Sequence, residues 1–302
     1  MANVGIVGLG AMGSAMAKRL VEAGHSVYGH DVRDFMMDEL KTNGGTPLAN
    51  AREVASKSDF FILSLPSEAS YHDVISGENG VVSSGKKGLI VLCTCTLRLG
   101  DKNKAREAFE AAGMTLIDAT VSGTRPTVLD STLAVYTSGD EAAAKAAEPI
   151  FRCFSKSCDY LGAFGNASKM KYVINSMVCI LNATTAEALT LAVKSGLDPE
   201  LVHKIVSESF VGNPVWRSRG GMMVQRDYTT SRGTLNMARK DSAIISEFAI
   251  DNQVPVPLFQ TALQMHRAGV AQGYMANDAA SIYEIYRGLT GLEVEKPQKP
   301  VG

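Results

Sequence analysis

The 302-residue sequence predicts an α/β protein in three parts: an N-terminal doubly wound, mostly parallel sheet, a long connecting helix and an all-helical C-terminal domain. Short apolar runs alternate with helical patterns through the first half of the chain, which is the order expected of a parallel sheet with crossover helices. From Gly165 to Gly196 apolar residues then recur at helical spacing without a breaker, long enough for about 45 Å of helix. Beyond Gly196 the strand-like runs stop and only helical patterns follow. The expected boundaries are 1–164 for the sheet domain, 165–195 for the connecting helix and 196–302 for the helical domain.

Composition narrows the function classes. Hydrophobic content of 45%, charged content of 20% and a formal net charge of −1 with dispersed basic residues give a nucleic-acid partner no support. The five cysteines, Cys93, Cys95, Cys153, Cys158 and Cys179, form no C-x-x-C pair, and no histidine cluster accompanies them. Neither a metal site nor a disulfide framework is expected, and reduced thiols point to the cytoplasm. No signal peptide is expected, because the first strand begins almost at once. The polar, proline-rich tail from Glu293 is expected to be mobile.

Residues 3–8, NVGIVG, form a short apolar run of the buried parallel-strand type. Gly8-Leu9-Gly10-Ala11-Met12-Gly13 follows as G-x-G-x-x-G, and Met12, Met16 and Leu20 continue at helical spacing. Gly8 permits the tight strand-to-helix turn, Gly10 lets a pyrophosphate approach the backbone, and Gly13 lets the helix pack closely. The helix N-terminus then presents free N–H groups to the phosphates. This is the Rossmann-type signature of a dinucleotide site. By itself the motif is weak, since glycine turns between strands and helices are common; its context strengthens it. A second strand, HSVYGHD, ends at Asp31, 18 residues beyond Gly13, where the fingerprint expects an acid after about 20. A carboxylate there accepts hydrogen bonds from the adenosine ribose. It also repels a 2′-phosphate by ~4 kcal/mol for unit charges about 4 Å apart at an effective dielectric of about 20. NAD is therefore favoured over NADP, with Arg33 the residue able to reverse that preference by binding a 2′-phosphate.

Further strands are expected at 60–65, 88–93, 115–119, 133–138 and 157–161. Ligands on such sheets sit off the carboxyl ends of strands, which here means Leu65-Pro66, Cys93 to Thr96 and Ala119 to Thr124. In the long helix Val173, Met177, Ile180, Leu181, Leu189 and Val193 share an apolar pattern that Asn175, Asn182, Thr184, Thr185 and Glu187 interrupt. That interruption argues against a membrane span. Gly196 stops the helix and Asp198-Pro199 restarts one. Helical segments are expected at 199–209, 215–225, 234–252, 257–273 and 277–290.

Several stretches, in this order, resemble the β-hydroxyacid dehydrogenase family, over nearly the whole chain. VGIVGLGAMGSAMAKRL resembles the family's dinucleotide fold, and GENGV, residues 77–81, resembles one of its loops. DATVSGT, residues 118–124, resembles the substrate segment, usually D-A-P-V-S-G-G. GAFGNASKMK, residues 162–171, resembles the approach to the catalytic lysine, and ARKDSAI, residues 238–244, a Lys-Asp segment near the nicotinamide. The chain departs from the pattern at Cys93-Thr94-Cys95-Thr96, where the family usually has Asp-x-Ser-Thr, and only Thr96 is kept. Thr120 stands for the segment's proline, Thr124 for its second glycine, and Ala167 for a glycine before the lysine.

The resemblance implies oxidation of the hydroxyl of a small 3-hydroxy acid, or reduction of the matching semialdehyde acid, with hydride exchanged at a nicotinamide. It assigns Lys171 as general acid/base, placed in a cleft between the domains and with its pKa brought toward working pH by burial and nearby positive charge. Asn175, one turn on, would bond the substrate oxygen. Ser122, with the backbone N–H groups of Gly123 and Thr124, would bind the substrate carboxylate. Leu65, Pro66, Thr96, Lys240 and Asp241 would line the cofactor. A helical lysine is by itself usually just solvated, as expected of Lys169, two residues away and on another face. Two other readings stand beside this one: an NADPH-preferring reductase in which Arg33 outweighs Asp31, and a non-catalytic dinucleotide-binding protein on the same fold. The resemblance also implies a homodimer or homotetramer built through the helical domain, with Met222, Met223, Met237 and Tyr274 as apolar positions for a partner. Thr120, Thr124, Asn213, Trp216 and Arg219 are candidates for shaping substrate choice.

Overall fold

The computed structural model describes residues 1–230 and 233–300. They fall into two compact units, 1–171 and 172 onward. The first is built on one sheet of β1 (Asn3–Val7), β2 (Ser26–His30), β3 (Thr46–Pro47), β4 (Phe60–Leu63), β5 (Ile90–Cys93), β6 (Thr115–Ser122), β7 (Leu133–Ser138) and β8 (Ser155–Tyr160). The spatial order is β3-β2-β1-β4-β5-β6-β7-β8. Every pairing is parallel except β6 with β7. Its helices are α1 (Ala11–Glu22), α2 (Asp34–Thr42), α3 (Ala51–Ser56), α4 (Glu68–Ser76), α5 (Leu99–Ala111), α6 (Arg125–Leu129) and α7 (Glu141–Arg152).

The apolar strands read as continuous runs because both faces of the sheet are covered. Val4, Ile6, Ile62, Leu92 and Ile117 point to one face, where they pack with Met16, Leu20, Leu40, Ala147 and Ile150. Their neighbours Val7, Phe61, Leu63, Val91 and Leu116 point to the other, with Val54, Tyr71, Ile75, Ala105 and Phe109. This is the two-residue alternation of a strand buried on both sides. Helix starts follow their side chains: Asn50, Ser67 and Asp140 cap α3, α4 and α7 by accepting backbone N–H groups.

Two differences from the expected elements bear on the site. The two-residue β3 lies at the sheet edge, where Pro47 needs no ladder donor. β6 runs on to Ser122, so Thr120 lies inside a strand rather than in a loop, and it is buried.

Helix α8 (Asn166–Lys194) links the two domains. By length and composition alone it is apolar enough to cross a membrane. Two of its polar interruptions are engaged within the protein: Asn182 Nδ2 donates to Ala279 O at 2.8 Å and Thr185 Oγ1 to Leu181 O at 2.7 Å, while Thr184 and Glu187 are exposed. The second unit contains α9 (Pro199–Glu208), α10 (Gly221–Gln225), α11 (Leu235–Asp251), α12 (Pro257–Ala271) and α13 (Ile282–Leu289). Asp198 caps α9 as expected. The single helix expected over 215–225 is instead a π-helical turn, Trp216–Gly220, running into α10 and stopped by Arg226 in the left-handed region at φ 54°.

The tail does not match the expected mobility. Glu284 is buried and accepts from Arg226 Nε at 3.2 Å, Arg226 Nη2 at 2.9 Å, Tyr228 Oη at 2.6 Å and Glu295 N at 2.7 Å. Gln298 exchanges hydrogen bonds with Asn277, receives the Tyr228 N–H and donates to Arg226 O. A buried carboxylate needs several donors, and residue 295 supplies one of them. Residues 301–302 lie outside the described residues. Of the positions suggested for a partner, Met223 and Tyr274 are instead buried in their own domain, while Met237 is exposed. Further apolar surface lies on α9, which buries none of its residues and exposes Leu201 and Ile205, with Phe210 and Val211 exposed just beyond it.

Candidate active site

The β1–α1 turn separates the three glycines by what each one faces. A Cβ on Gly8, whose φ is +90°, would lie 2.2 Å from Ser64 O, and one on Gly13 would lie 1.9 Å from Gly8 O. Both are needed by the packing of the protein itself. A Cβ on Gly10 would meet only Arg33 Nη2, at 3.8 Å. Space is therefore kept open beside Gly10, at the first turn of α1, which has no side-chain cap and no acidic residue. Uncapped N–H groups facing open space fit a dinucleotide diphosphate. Leu9, Ala11 and Met12 complete the turn; Leu9 is buried, and its N–H reaches Asp31 Oδ2 at 2.8 Å.

Asp31 lies at the end of β2, as the fingerprint requires, and Arg33 closes on it. Arg33 Nε donates to Oδ1 at 2.8 Å, Nη2 to Oδ2 at 2.9 Å, and the Arg33 N–H to Oδ1 at 3.0 Å. Burial pushes the Asp31 carboxyl upward, but the hydrogen bonds and charge of Arg33 outweigh it and hold the group below its ordinary value.

At the ends of β4 and β5, Leu65 is half-buried and Pro66 exposed. The Leu65 N–H donates to Cys95 Sγ at 3.1 Å, so Cys95, at a position where the family pattern has serine, ties the two strand ends together. Thr96 lies half-buried beside it.

At the end of β6, Ser122 and Thr124 are half-buried and Gly123 is exposed. The N–H of Thr124 is not available as a carboxylate donor. It is given to Thr127 Oγ1 at 2.8 Å as α6 starts. Arg125, which sequence reasoning missed, reaches across to α1 and donates to Ser14 Oγ at 2.6 Å.

Lys171 occupies the second turn of α8 and is half-buried. Lys169 is exposed and bonds Asn166 Oδ1 at 3.2 Å, matching the expected contrast between the two lysines. The start of α8 is fully capped. The Asn166 N–H goes to Ala163 O at 3.1 Å, that of Ala167 to Ser138 Oγ at 3.0 Å, that of Ser168 to Asp118 Oδ2 at 2.8 Å and that of Lys169 to Gly165 O at 3.0 Å. The two helix N-termini thus differ. That of α8 is satisfied by the protein, whereas that of α1 has no side-chain cap.

In the second unit, Asn175 Nδ2 donates to Asp241 Oδ2 at 2.9 Å, and Lys240 Nζ pairs with Asp241 Oδ1 at 3.2 Å. Asn175, Asp241 and Lys240 are therefore brought together, and α8 carries Asn175 one turn beyond Lys171. Asn213 and Trp216 serve the local fold. Asn213 Oδ1 accepts the N–H groups of Val215 and Trp216 at 3.0 Å, while Trp216 stacks on His203. Arg219 pairs with buried Asp278 at 3.3 Å. Thr120 spends its hydroxyl on Ala167 O at 2.8 Å.

The family model described as the NAD-binding domain of 6-phosphogluconate dehydrogenase matches residues 3–162. A second, described as NAD-binding of NADP-dependent 3-hydroxyisobutyrate dehydrogenase, matches residues 165–286. The mitochondrial 3-hydroxyisobutyrate dehydrogenase of Mus musculus is 31% identical, over 94% of this chain and 87% of its own. The chain belongs to the β-hydroxyacid dehydrogenase family. Another relative in that family is the 2-(hydroxymethyl)glutarate dehydrogenase of Eubacterium barkeri, 26% identical over 98% of both chains. The crystal structure of 3-hydroxyisobutyrate dehydrogenase from Salmonella typhimurium has the same fold, with a TM-score of 0.87, 27% identity, and coverage of 94% of this chain and 100% of that one. As a β-hydroxyacid dehydrogenase the protein is an NAD(P)-dependent oxidoreductase acting on the CH–OH group of small hydroxy acids.

Proposed function

We propose that this enzyme exchanges a hydride between a nicotinamide dinucleotide, NAD in preference to NADP, and the hydroxyl of a small 3-hydroxy acid, with Lys171 as general acid/base. The observation that carries the reading is α8 itself. Its first turn is locked by strand side chains, Lys171 follows on the next turn, and Asn175, bonded to Asp241, lies one turn further on. A bound nicotinamide would supply the acceptor for the hydride that leaves the substrate carbon. The neutral Lys171 amine takes the hydroxyl proton as that C–H bond breaks, and the reverse reduction returns the proton from the ammonium to the carbonyl oxygen. Asn175 hydrogen-bonds the same oxygen. Ser122 and Gly123 hold the substrate carboxylate, and Lys240, paired with Asp241, would bring positive charge to the cofactor. Gly10, Ala11, Met12 and the N-terminus of α1 would hold the diphosphate, Asp31, shared with Arg33, would face the ribose, and Leu65, Pro66 and Thr96 would flank the cofactor.

A panel of 3-hydroxyisobutyrate, 2-(hydroxymethyl)glutarate and related hydroxy acids, run with NAD and with NADP, tests this. Lys171→Ala is expected to lower kcat by roughly 10²–10⁴-fold, the usual contribution of a general acid or base, with cofactor affinity retained. Wild-type turnover in the variant would remove the assigned role. Cofactor binding without turnover on any substrate would favour the non-catalytic reading. A preference for NADP is the second reading, and the closed Arg33–Asp31 pair is the observation that favours it.

The exposed apolar positions Leu201, Ile205 and Phe210 support a homodimer or homotetramer built through the helical domain. The five free cysteines support residence in the reducing cytoplasm.

A further inference from the structure

One buried polar cluster takes no direct part in the chemistry above. Lys102 of α5 and Asp118 of β6 are both wholly buried and pair at 2.7 Å. Two charges removed from water are costly to keep, and breaking such a pair is costlier still. What surrounds this pair leads in one direction, to the first turn of α8. Asp118 Oδ1 accepts the Ser168 hydroxyl at 2.9 Å, and Oδ2 accepts the Ser168 N–H at 2.8 Å. The Ser138 hydroxyl donates to Asp118 Oδ2 at 3.4 Å and accepts the Ala167 N–H at 3.0 Å. From β6, Thr120 Oγ1 donates to Ala167 O at 2.8 Å.

Residues of β6 and β7 thus grip the N–H groups of two consecutive residues, one carbonyl and one hydroxyl, three to four residues before Lys171. A single side-chain cap satisfies only one of the free N–H groups at a helix start. This many directed bonds also fixes how far the helix is advanced along its axis and how it is rotated about it. Reaching geometry within about 1 Å matters to a proton transfer, since a misplacement of that order can cost about 10²-fold in rate.

We propose that Lys102, Asp118, Thr120, Ser138 and Ser168 form a seat that sets where α8 presents the amine of Lys171, and so act as positioning residues for the proton transfer. This inference rests on the acid/base reading of Lys171. Burial of the ion pair keeps the seat rigid, because water cannot compete for its hydrogen bonds.

The test uses the full chain with Thr120→Val and Ser168→Ala, alone and together. Each removes one hydroxyl and leaves the buried charges paired. The measurements are kcat, KM for both substrates, the pH dependence of kcat and the NADH dissociation constant. The double variant is expected to lose at least about tenfold in kcat and to show a displaced pH profile, with NADH binding unchanged. Ser168→Thr, which restores the hydroxyl, is expected to recover most of the rate. A double variant with wild-type kcat and pH profile but a lowered Tm would overturn the seat, leaving these residues a structural role only. If Ser168→Ala fails to fold, Thr120→Val carries the same readouts alone. The two readings fail separately: wild-type turnover in Lys171→Ala removes the acid/base role, whereas an inactive Lys171→Ala beside an unaffected double variant removes only the seat.

Discussion

Arg33 fastens the two ends of its guanidinium fork onto the two oxygens of Asp31, Nε to Oδ1 at 2.8 Å and Nη2 to Oδ2 at 2.9 Å. The carboxylate that should receive a ribose hydroxyl is therefore already engaged. Hydrogen bonds to charged groups contribute about 1.5–3 kcal/mol, or roughly 10–100-fold in binding. Asp31→Ala is expected to free Arg33 for a 2′-phosphate and move the ratio of kcat/KM for NADP to that for NAD upward within this range. Arg33→Ala is expected to move it the opposite way. A ratio unchanged in both variants would show that the pair does not select the cofactor.

Gly10 and Gly13 belong to one motif but should fail differently. A Cβ at Gly13 falls 1.9 Å from a backbone oxygen, whereas one at Gly10 meets only a side-chain end at 3.8 Å. Gly13→Ala is expected to destabilise the fold by about 1–3 kcal/mol through overpacking. Gly10→Ala is expected to leave the melting temperature nearly unchanged and weaken NADH binding by at least about tenfold, through lost backbone approach. Thermal melts and NADH fluorescence titrations separate the two. Wild-type NADH affinity in Gly10→Ala would mean that the open space is not where the diphosphate sits.

His266 of α12 gives the helical domain an acid sensitivity. It is buried between Cys179 and Asn182 and bonds Ala262 O at 2.9 Å, and burial depresses its pKa to about 4 from 6.5. Between those values the unfolded chain binds the proton more readily than the folded one, so stability is complete above about 6.5 and falls as the pH drops toward 4. The loss across that window is on the order of 3 kcal/mol. Denaturant midpoints taken at several pH values across the window should decline in the wild type and decline less in His266→Gln. Parallel declines would assign the acid sensitivity to other groups.

Apolar residues exposed on α9 and just beyond it should report the oligomeric state. Leu201→Glu with Ile205→Glu is expected to convert a sedimenting dimer or tetramer to monomer, because a desolvated carboxylate in such an interface costs several kcal/mol. An unshifted sedimentation coefficient in the double variant would place the interface elsewhere.

Much of the first unit was legible in the sequence because buried parallel strands leave unbroken apolar runs, and because Gly8 and Gly13 answer packing demands while Gly10 keeps space open beside α1. The role proposed for Lys171 rests on resemblance alone; spacing does not distinguish it from solvated Lys169. Lys102 and Asp118 were missed for a different reason. They lie 16 residues apart on different elements, so no local period records that they meet. The same holds for Gln298 against Asn277 and Arg226. The Thr124 N–H looked available because the competing acceptor, the Thr127 hydroxyl, is visible only once α6 is known to start there. Met223 and Tyr274 were misjudged because, where every element is a helix, an apolar residue does not declare which neighbour it faces.

The cap on α8 also makes an assembly clock of its first turn. The Ala167 amide is held by a residue 29 positions earlier and the Ser168 amide by one 50 positions earlier. The first needs β7 and the second β6, so the two bonds stand together only when β6 and β7 are side by side. Lys171 therefore reaches its place only after the antiparallel end of the sheet has closed. In hydrogen exchange, those two amides should open together with Val121 and Val135, which face each other across β6 and β7, rather than fray with the helix they begin.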